Sequence, residues 1–236
     1  MNCQTALARL KAAGSAQTRK TYGRHGVRGE MFGVSYAHLG RLHKEIKTDH
    51  ALACALWASG NHDARVLATM IADPALVDNA LAEAWVKDLD NAIDSDAFSG
   101  VLRKSKLAQR KAAKWTKSKH EWIGRAGWNI VAGLALYEPS LPDDYFTAFQ
   151  SEIERTIHAR PNRTRDAMNN ALIAIGVRSP QLRKLALSAA NRIGKVEVDH
   201  GDTSCKTPDA ALYIQKTLAH RKQMQAKRRA KATGRK

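Results

Sequence analysis

Asp199, His200, Asp202 and Cys205 stand within residues 199–205 of the stretch KVEVDHGDTSCKTPDA. These residue types hold metal ions and move protons. Zinc needs three or four ligands in tetrahedral reach. Here a sharp turn at Gly201 would have to gather them, and there is neither a C-x-x-C pair nor a second His at a standard spacing. A His–Cys nucleophile would need oxyanion donors, and the pattern identifies none. A connector explains more of the residues. Gly194 ends a helix, Lys195–Val198 crosses in extended form, and Gly201-Asp202 turns. Thr207-Pro208-Asp209 then opens the final helix, with Pro at the first helical position. In this reading Lys195, His200 and Lys206 face phosphate, and no metal or other cofactor is expected.

Other residues in the chain can also do chemistry. In LDNAIDSDAF, Asp94 lies close to Asp88, Asp90 and Asp96. Asp and Ser favour the first turn of a helix, so the cluster reads as a capped start. It also reads as a carboxylate facing a basic groove, where it would stay ionised. Arg125 lies in EWIGRAGWNIVAGLALY among Gly124, Ala126 and Gly127. It either snorkels or reaches into a groove, and its small neighbours would admit a partner closely. Arg160, Arg163 and Arg165 open the helix of RPNRTRDAMNNA, where Arg with Asn and Thr can clamp phosphate or simply face solvent. His62, Asp63 and Arg65 follow Gly60 in SGNHDARVLA. They read as a helix start capped by Asn61, with Asp63 pairing to Arg65 or to a neighbouring helix. Trp57, Trp85, Trp115, Trp122 and Trp128 fall on helix faces and read mainly as core. Trp85 is the one nearest the Asp-rich segment.

The elements that must position these residues are helices. Apolar residues recur at helical spacing in SYAHLGRLHKEI, DHALACALWASG, HDARVLATMIA, PALVDNALAEAWV, PDDYFTAFQSEIERTI and PQLRKLALSAANRIG. KVEV is the single strand candidate, and it is short. Asp73-Pro74, Glu138-Pro139, Leu141-Pro142 and Ser179-Pro180 mark boundaries, and Gly60, Gly176 and Gly194 sit where helices should end. The pattern predicts an all-α chain. The paired rhythm suggests an irregular HEAT-like α–α superhelix, with a globular bundle as competitor.

The chain of 236 residues carries 39 Lys+Arg against 22 Asp+Glu, a net charge of +17. That balance concerns partners rather than fold. Nucleic acid comes first, because each Lys or Arg on a phosphate releases counterions, and an acidic membrane surface second. No apolar run is long enough to span a bilayer, and Asn2–Leu10 is too short and polar for a signal peptide. Cys3, Cys54 and Cys205 are odd in number and scattered, which argues against a disulfide framework and for a reducing cytoplasm, associated with the nucleoid. One domain over residues 1–220 is expected, with a basic tail over 221–236. That tail, including Lys227, Arg228 and Arg229, reads as a solvated end or as an arm on nucleic acid.

Three segments carry a resemblance. FGVSYAHLGRLHKEIKTDHALACALWASGNHDARVLATMIADP, with its core LWASGNHDARVLA, resembles the signature of the DNA alkylation repair family, the HEAT-like-repeat DNA glycosylases of the AlkD type. WVKDLDNAIDSDAFSGVLRKS followed by EWIGRAGWNIVAGLA is similar more weakly. IGKVEVDHGDTSCKTPDAALYIQK is similar to a C-terminal signature of one bacterial subgroup. The resemblance implies a superhelix whose basic concave face holds duplex DNA. It also implies cleavage of the N-glycosidic bond of cationic alkylated purines by a protein expected to act as a monomer without metal or organic cofactor. An alkylated purine is already a good leaving group, so a carboxylate beside the sugar is needed chiefly to stabilise the oxocarbenium ion and hold water. The resemblance assigns that role to Asp94 and the anchoring of DNA near the lesion to Arg125.

The chain departs from the family pattern in two places. Asp90-Asn91 stand where the family has Trp-Asp, and Asn169 or Asn170 stand near an expected aromatic. Each lost contact between an aromatic ring and a cationic lesion would cost about 1–2 kcal/mol. A glycosylase acting through Asp94 and a non-cleaving scaffold for distorted or branched DNA therefore both follow. A protein-interaction solenoid is the third reading, and the charge disfavours it.

Overall fold

The computed structural model describes the backbone of residues 1–233 and side chains through residue 228. Thirteen α-helices form among these residues, with no strand. They are α1 Cys3–Ala13, α2 Ala16–Arg24, α3 Tyr36–Ile46, α4 His50–Ala58, α5 His62–Ile71, α6 Asn79–Lys87 and α7 Ala92–Leu102, then α8 Ala108–Trp115, α9 Glu121–Tyr137, α10 Asp143–Thr156, α11 Asn162–Gly176, α12 Pro180–Ile193 and α13 Ala210–Thr233.

Short polar side chains start most of these helices. Ser35, Asp49, Asn61, Asp78, Asn91 and Ser179 each accept a backbone N–H of the first turn, satisfying donors the helix cannot. Ser179-Pro180 is built as expected, with the hydroxyl as cap and Pro at the helix start. The final helix differs. Asp209 rather than Thr207 is its cap, accepting from Leu212 N at 2.9 Å, and Pro208 stays outside it. Gly194, at φ 68°, ends α12 in the left-handed region that favours glycine. Gly176 is instead the last residue of α11. A Cβ there would lie 2.5 Å from Ile214 Cδ1, so this glycine serves close packing of α13.

Two rows of helices build the superhelix. The helices α3, α5, α7, α9, α11 and α13 pack successively, each on the next. Behind them α4 packs on α5, α6 on α7, α8 on α9, and α10 and α12 on each other and on α11. Between the rows lie fully buried Leu39, Leu56, Leu67, Phe98, Trp115, Trp128 and Phe146. A buried side chain of this size contributes roughly 2 kcal/mol by leaving water. Trp85, the tryptophan nearest the Asp-rich segment, is core. It stacks on Trp57 at 4.3 Å and is 4% exposed.

The close approach permitted by the small residues of α9 is internal. A Cβ on Gly127 would lie 2.5 Å from Thr116 N and 2.6 Å from Trp115 C, and one on Gly124 would lie 2.9 Å from Thr164 Oγ1. The partners admitted are therefore α8 and α11. The expected KVEV stretch is an extended connector without strand pairing among the described residues. Asn162 clasps it, donating from Nδ2 to Asp199 O and accepting from Asp199 N, each at 2.7 Å.

Candidate nucleic-acid interface

Asp94 sits in the first turn of α7. Asn91 caps that turn by accepting from Asp94 N at 2.9 Å, and returns its amide to Asp94 Oδ2 at 3.0 Å. The other oxygen, Oδ1, lies 2.9 Å from His62 Nδ1, an ion-pair distance whose alignment falls short of a hydrogen bond. His62 opens α5, and its ring meets Tyr22 edge-on at 5.0 Å. Asp94 is 2% exposed. The carboxylate that the resemblance sets beside a sugar is thus enclosed, and it ties α7 to α5. His62 as its partner was not legible beforehand, because the two residues are brought together only by helix packing.

Asp63 next to it is also structural, but not through Arg65. Its oxygens accept the backbone N–H groups of Phe32, Gly33 and Val34 at 2.6, 2.9 and 2.7 Å, pinning the segment between α2 and α3. Arg65 reaches Asp88 O at 3.1 Å instead and lies over the Trp57 ring.

Arg125 is the centre of a buried network. Its Nε and Nη2 donate to Asp96 at 2.7 and 2.9 Å, and its Nη1 donates to Asp166 at 2.7 Å and to Arg163 O at 3.1 Å. Burial works against its charge, but the two carboxylates outweigh this and hold the guanidinium firmly protonated. The fork joins α7, α9 and α11, and leaves little of Arg125 to meet a ligand.

Of the expected DNA-facing residues, several are similarly committed. Arg160 donates to Ser118 O and Thr116 O, each at 3.2 Å. Arg163 N donates to Glu121 Oε1 at 2.6 Å, so a carboxylate of the chain already occupies the start of α11. The Arg163 guanidinium stands 3.0 Å from His200 Nδ1, and His200 Nε2 stands 2.9 Å from Thr207 Oγ1. Burial pushes the His200 imidazole below its ordinary range. Asp166 opposes this and Arg163 adds to it, so His200 links the connector to α11 as a neutral ring near pH 7. Arg165 is half-buried beside them, its Nε enclosed without an acceptor. Lys206 is exposed, and Lys195 is exposed with Glu197 at 2.6 Å. Lys227 and Arg228 are exposed on α13, which runs helically through the expected domain boundary at 220. The side chain of Arg229 lies outside the described residues.

A series of linked hollows runs from the connector past α11 and α13 to the end of α9. One, of about 610 Å³, is bordered by the connector and Lys206. Lys206 and Pro208 also border the next, about 530 Å³, with Leu136, Tyr213 and Arg221. Leu136 and Arg221 are shared with a third, which reaches Tyr137. Among the described residues no three His, Cys, Asp or Glu side chains converge as a metal site would require. No helix there is long and apolar enough to cross a membrane.

The sequence profile of the DNA alkylation repair enzyme family matches residues 4–225. The chain belongs to that family. A solved structure is superimposable with a TM-score of 0.86 at 30% identity, over 93% of this chain and 95% of the other. It is described as representing a new family of proteins related to the HEAT-like repeat DNA glycosylases with affinity for branched DNA structures. The protein Lin0241 of Listeria innocua is 29% identical over 213 residues, and Lmo0209 of Listeria monocytogenes is 27% identical over 213; each match covers 88% of this chain and 93% of the relative. The HEAT-like architecture expected from the helix rhythm is thereby shown. Two departures from the DNA alkylation repair pattern gain a physical reading. Asn169 is buried and donates to Pro208 O at 2.9 Å, so it holds the connector. Asn91 is the cap that encloses Asp94.

Proposed function

We propose that this protein binds distorted or branched DNA along the row α3–α13 and does not cleave the N-glycosidic bond. One observation carries the second half of this reading: Asp94 is 2% exposed, with His62 at one oxygen and Asn91 at the other. An oxocarbenium ion is stabilised by a carboxylate only at close range, and here that range is filled by protein. Freeing Asp94 would also break its bond from Asn91 Nδ2 and take the carboxylate away from the buried His62 ring. Arg125, the expected strand anchor, is likewise held by Asp96 and Asp166. The binding half is supported by a net charge of +17 and by the exposed Lys206, Lys227 and Arg228. The affinity for branched DNA of the similar solved structure supports it further.

The test has two arms. Free base released from methylated duplex DNA is measured for the protein and for Asp94→Asn, and affinity for a four-way junction and a linear duplex is measured across a salt series. We expect release no faster than the spontaneous rate. We expect junction binding that is tighter than duplex binding and falls linearly in log–log form with salt. Release above background that Asp94→Asn abolishes would restore the glycosylase reading. Affinity that is indifferent to salt would remove the DNA reading altogether.

A further inference from the structure

Arg103 and Tyr137 pair where the end of α7 lies against the last turns of α9. Arg103 follows α7 and crosses the C-terminal third of α9, where Gly133 stands. A Cβ on Gly133 would lie 2.5 Å from Arg103 Cδ, so the glycine lets the arginine stem lie close against α9. The guanidinium then comes to rest 4.5 Å from the centroid of the Tyr137 ring. Its situation differs from that of the other arginines of this region. Arg125, Arg160 and Arg178 all bind carboxylates or carbonyls of the chain, whereas among the described residues Arg103 meets the ring and no hydrogen-bond acceptor. Of the acids nearby, Asp96 and Asp166 share Arg125, Asp143 pairs with Arg178, and Glu138 accepts from Ser140.

Tyr137 is 65% exposed. Beyond it lies the hollow that Leu136 and Arg221 share with Tyr213, which is itself 47% exposed. Two uncovered aromatic rings, apolar Leu136 beside both hollows, and positive charge from Arg103 at one end and from Arg221, which also donates to Val177 O, at the other suit a chemistry that a paired duplex does not offer. Paired bases are stacked on each other and present phosphate outward. Unpaired bases present faces, and aromatic faces next to cations are the usual platform for them. Arg103 is held in place before any ligand arrives, so little side-chain entropy is lost when it meets a phosphate.

We infer that the Arg103–Tyr137 pair, continued by Leu136 and Tyr213, is a stacking site for unpaired nucleotides. It is the part of the interface that would distinguish a branch point or gap from continuous duplex. This rests on the DNA-binding reading above and adds to it the element that reads the departure from pairing.

The experiment uses a duplex interrupted by a short single-stranded gap that carries 2-aminopurine, with an uninterrupted duplex of the same length beside it. Tyr137→Leu removes the ring at an exposed position, and Tyr213→Leu does the same across the hollow. Far-ultraviolet circular dichroism and the urea midpoint establish that both variants are folded. We expect each to weaken binding of the gapped duplex by about 10-fold and to change binding of the uninterrupted duplex by less than about twofold. The fluorescence change of 2-aminopurine on binding should shrink in parallel. Arg103→Gln should reproduce the Tyr137→Leu loss on the gapped duplex. If the variants weaken both DNAs equally, or neither, the stacking site is refuted while general DNA binding stands. If the unaltered protein binds neither DNA at low salt, the DNA reading and the stacking site fall together.

Discussion

Replacing Arg125 by Leu separates a structural arginine from a DNA anchor. The side chain makes four hydrogen bonds, two to Asp96, one to Asp166 and one to Arg163 O. Bonds between charged groups contribute about 1.5–3 kcal/mol each, but they do not all count. Asp96 is 51% exposed at its side chain and regains water when the arginine is removed, whereas Asp166 is 11% exposed and cannot. Its charge would be stranded between α9 and α11. We therefore expect Arg125→Leu to destabilise the protein by about 3–5 kcal/mol. Adding Asp166→Asn should restore about 1–2 kcal/mol of that by removing the stranded charge. Urea unfolding followed by tryptophan fluorescence measures this, since Trp122 and Trp128 sit on the same helix. At a temperature where the double variant is folded, its affinity for junction DNA should stay within about threefold of the unaltered protein. A variant of unchanged stability with DNA affinity reduced by about 30-fold or more would refute this reasoning and make Arg125 the strand anchor.

Two further expectations concern the frame that holds the interface. Gly127→Ala should lose about 2 kcal/mol, because the backbone of Trp115–Thr116 cannot yield to the new methyl as a flexible side chain would. Gly100→Ala, with nothing within 4 Å of its Cβ, should instead gain up to about 1 kcal/mol of helix propensity in the same urea assay. Glu83 sets the acid limb. Burial pushes its carboxyl up, but hydrogen bonds from Lys111 and Lys114 outweigh that and hold it at about 2. A depressed folded value means the stabilisation is complete above the unfolded value of 4.5 and is lost as pH falls toward about 2. After screening at this partly exposed site the amount is about 1–2 kcal/mol. Lys111→Met should flatten the fall in stability across that window, measured by urea midpoints at successive pH values.

The sequence by itself determined the helices, most of their caps and the strongly basic charge. These depend on local chemistry: Asn61 and Ser179 accept N–H groups two or three positions away, and apolar residues at helical spacing need only a neighbour to bury them against. The bland reading of KVEVDHGDTSCKTPDA as a connector was legible for the same reason, since Gly194 and the Asp209 region end and begin helices within a few residues. What Asp94, Arg125 and Arg163 do was not legible, because their partners lie tens of positions away in sequence. His62 meets Asp94, and Asp166 meets Arg125, only once α5 packs on α7 and α9 on α11. A carboxylate beside an open groove and a carboxylate sealed by a histidine look alike in one dimension. The glycines of α9 illustrate the same limit. Their spacing announced a close approach, but whether DNA or α8 fills it depends on which helix the fold delivers there first. Arg103 and Tyr137 carried no sequence signal at all. Their pairing exists because α7 ends beside Gly133, and only the packed structure places a guanidinium on an exposed ring.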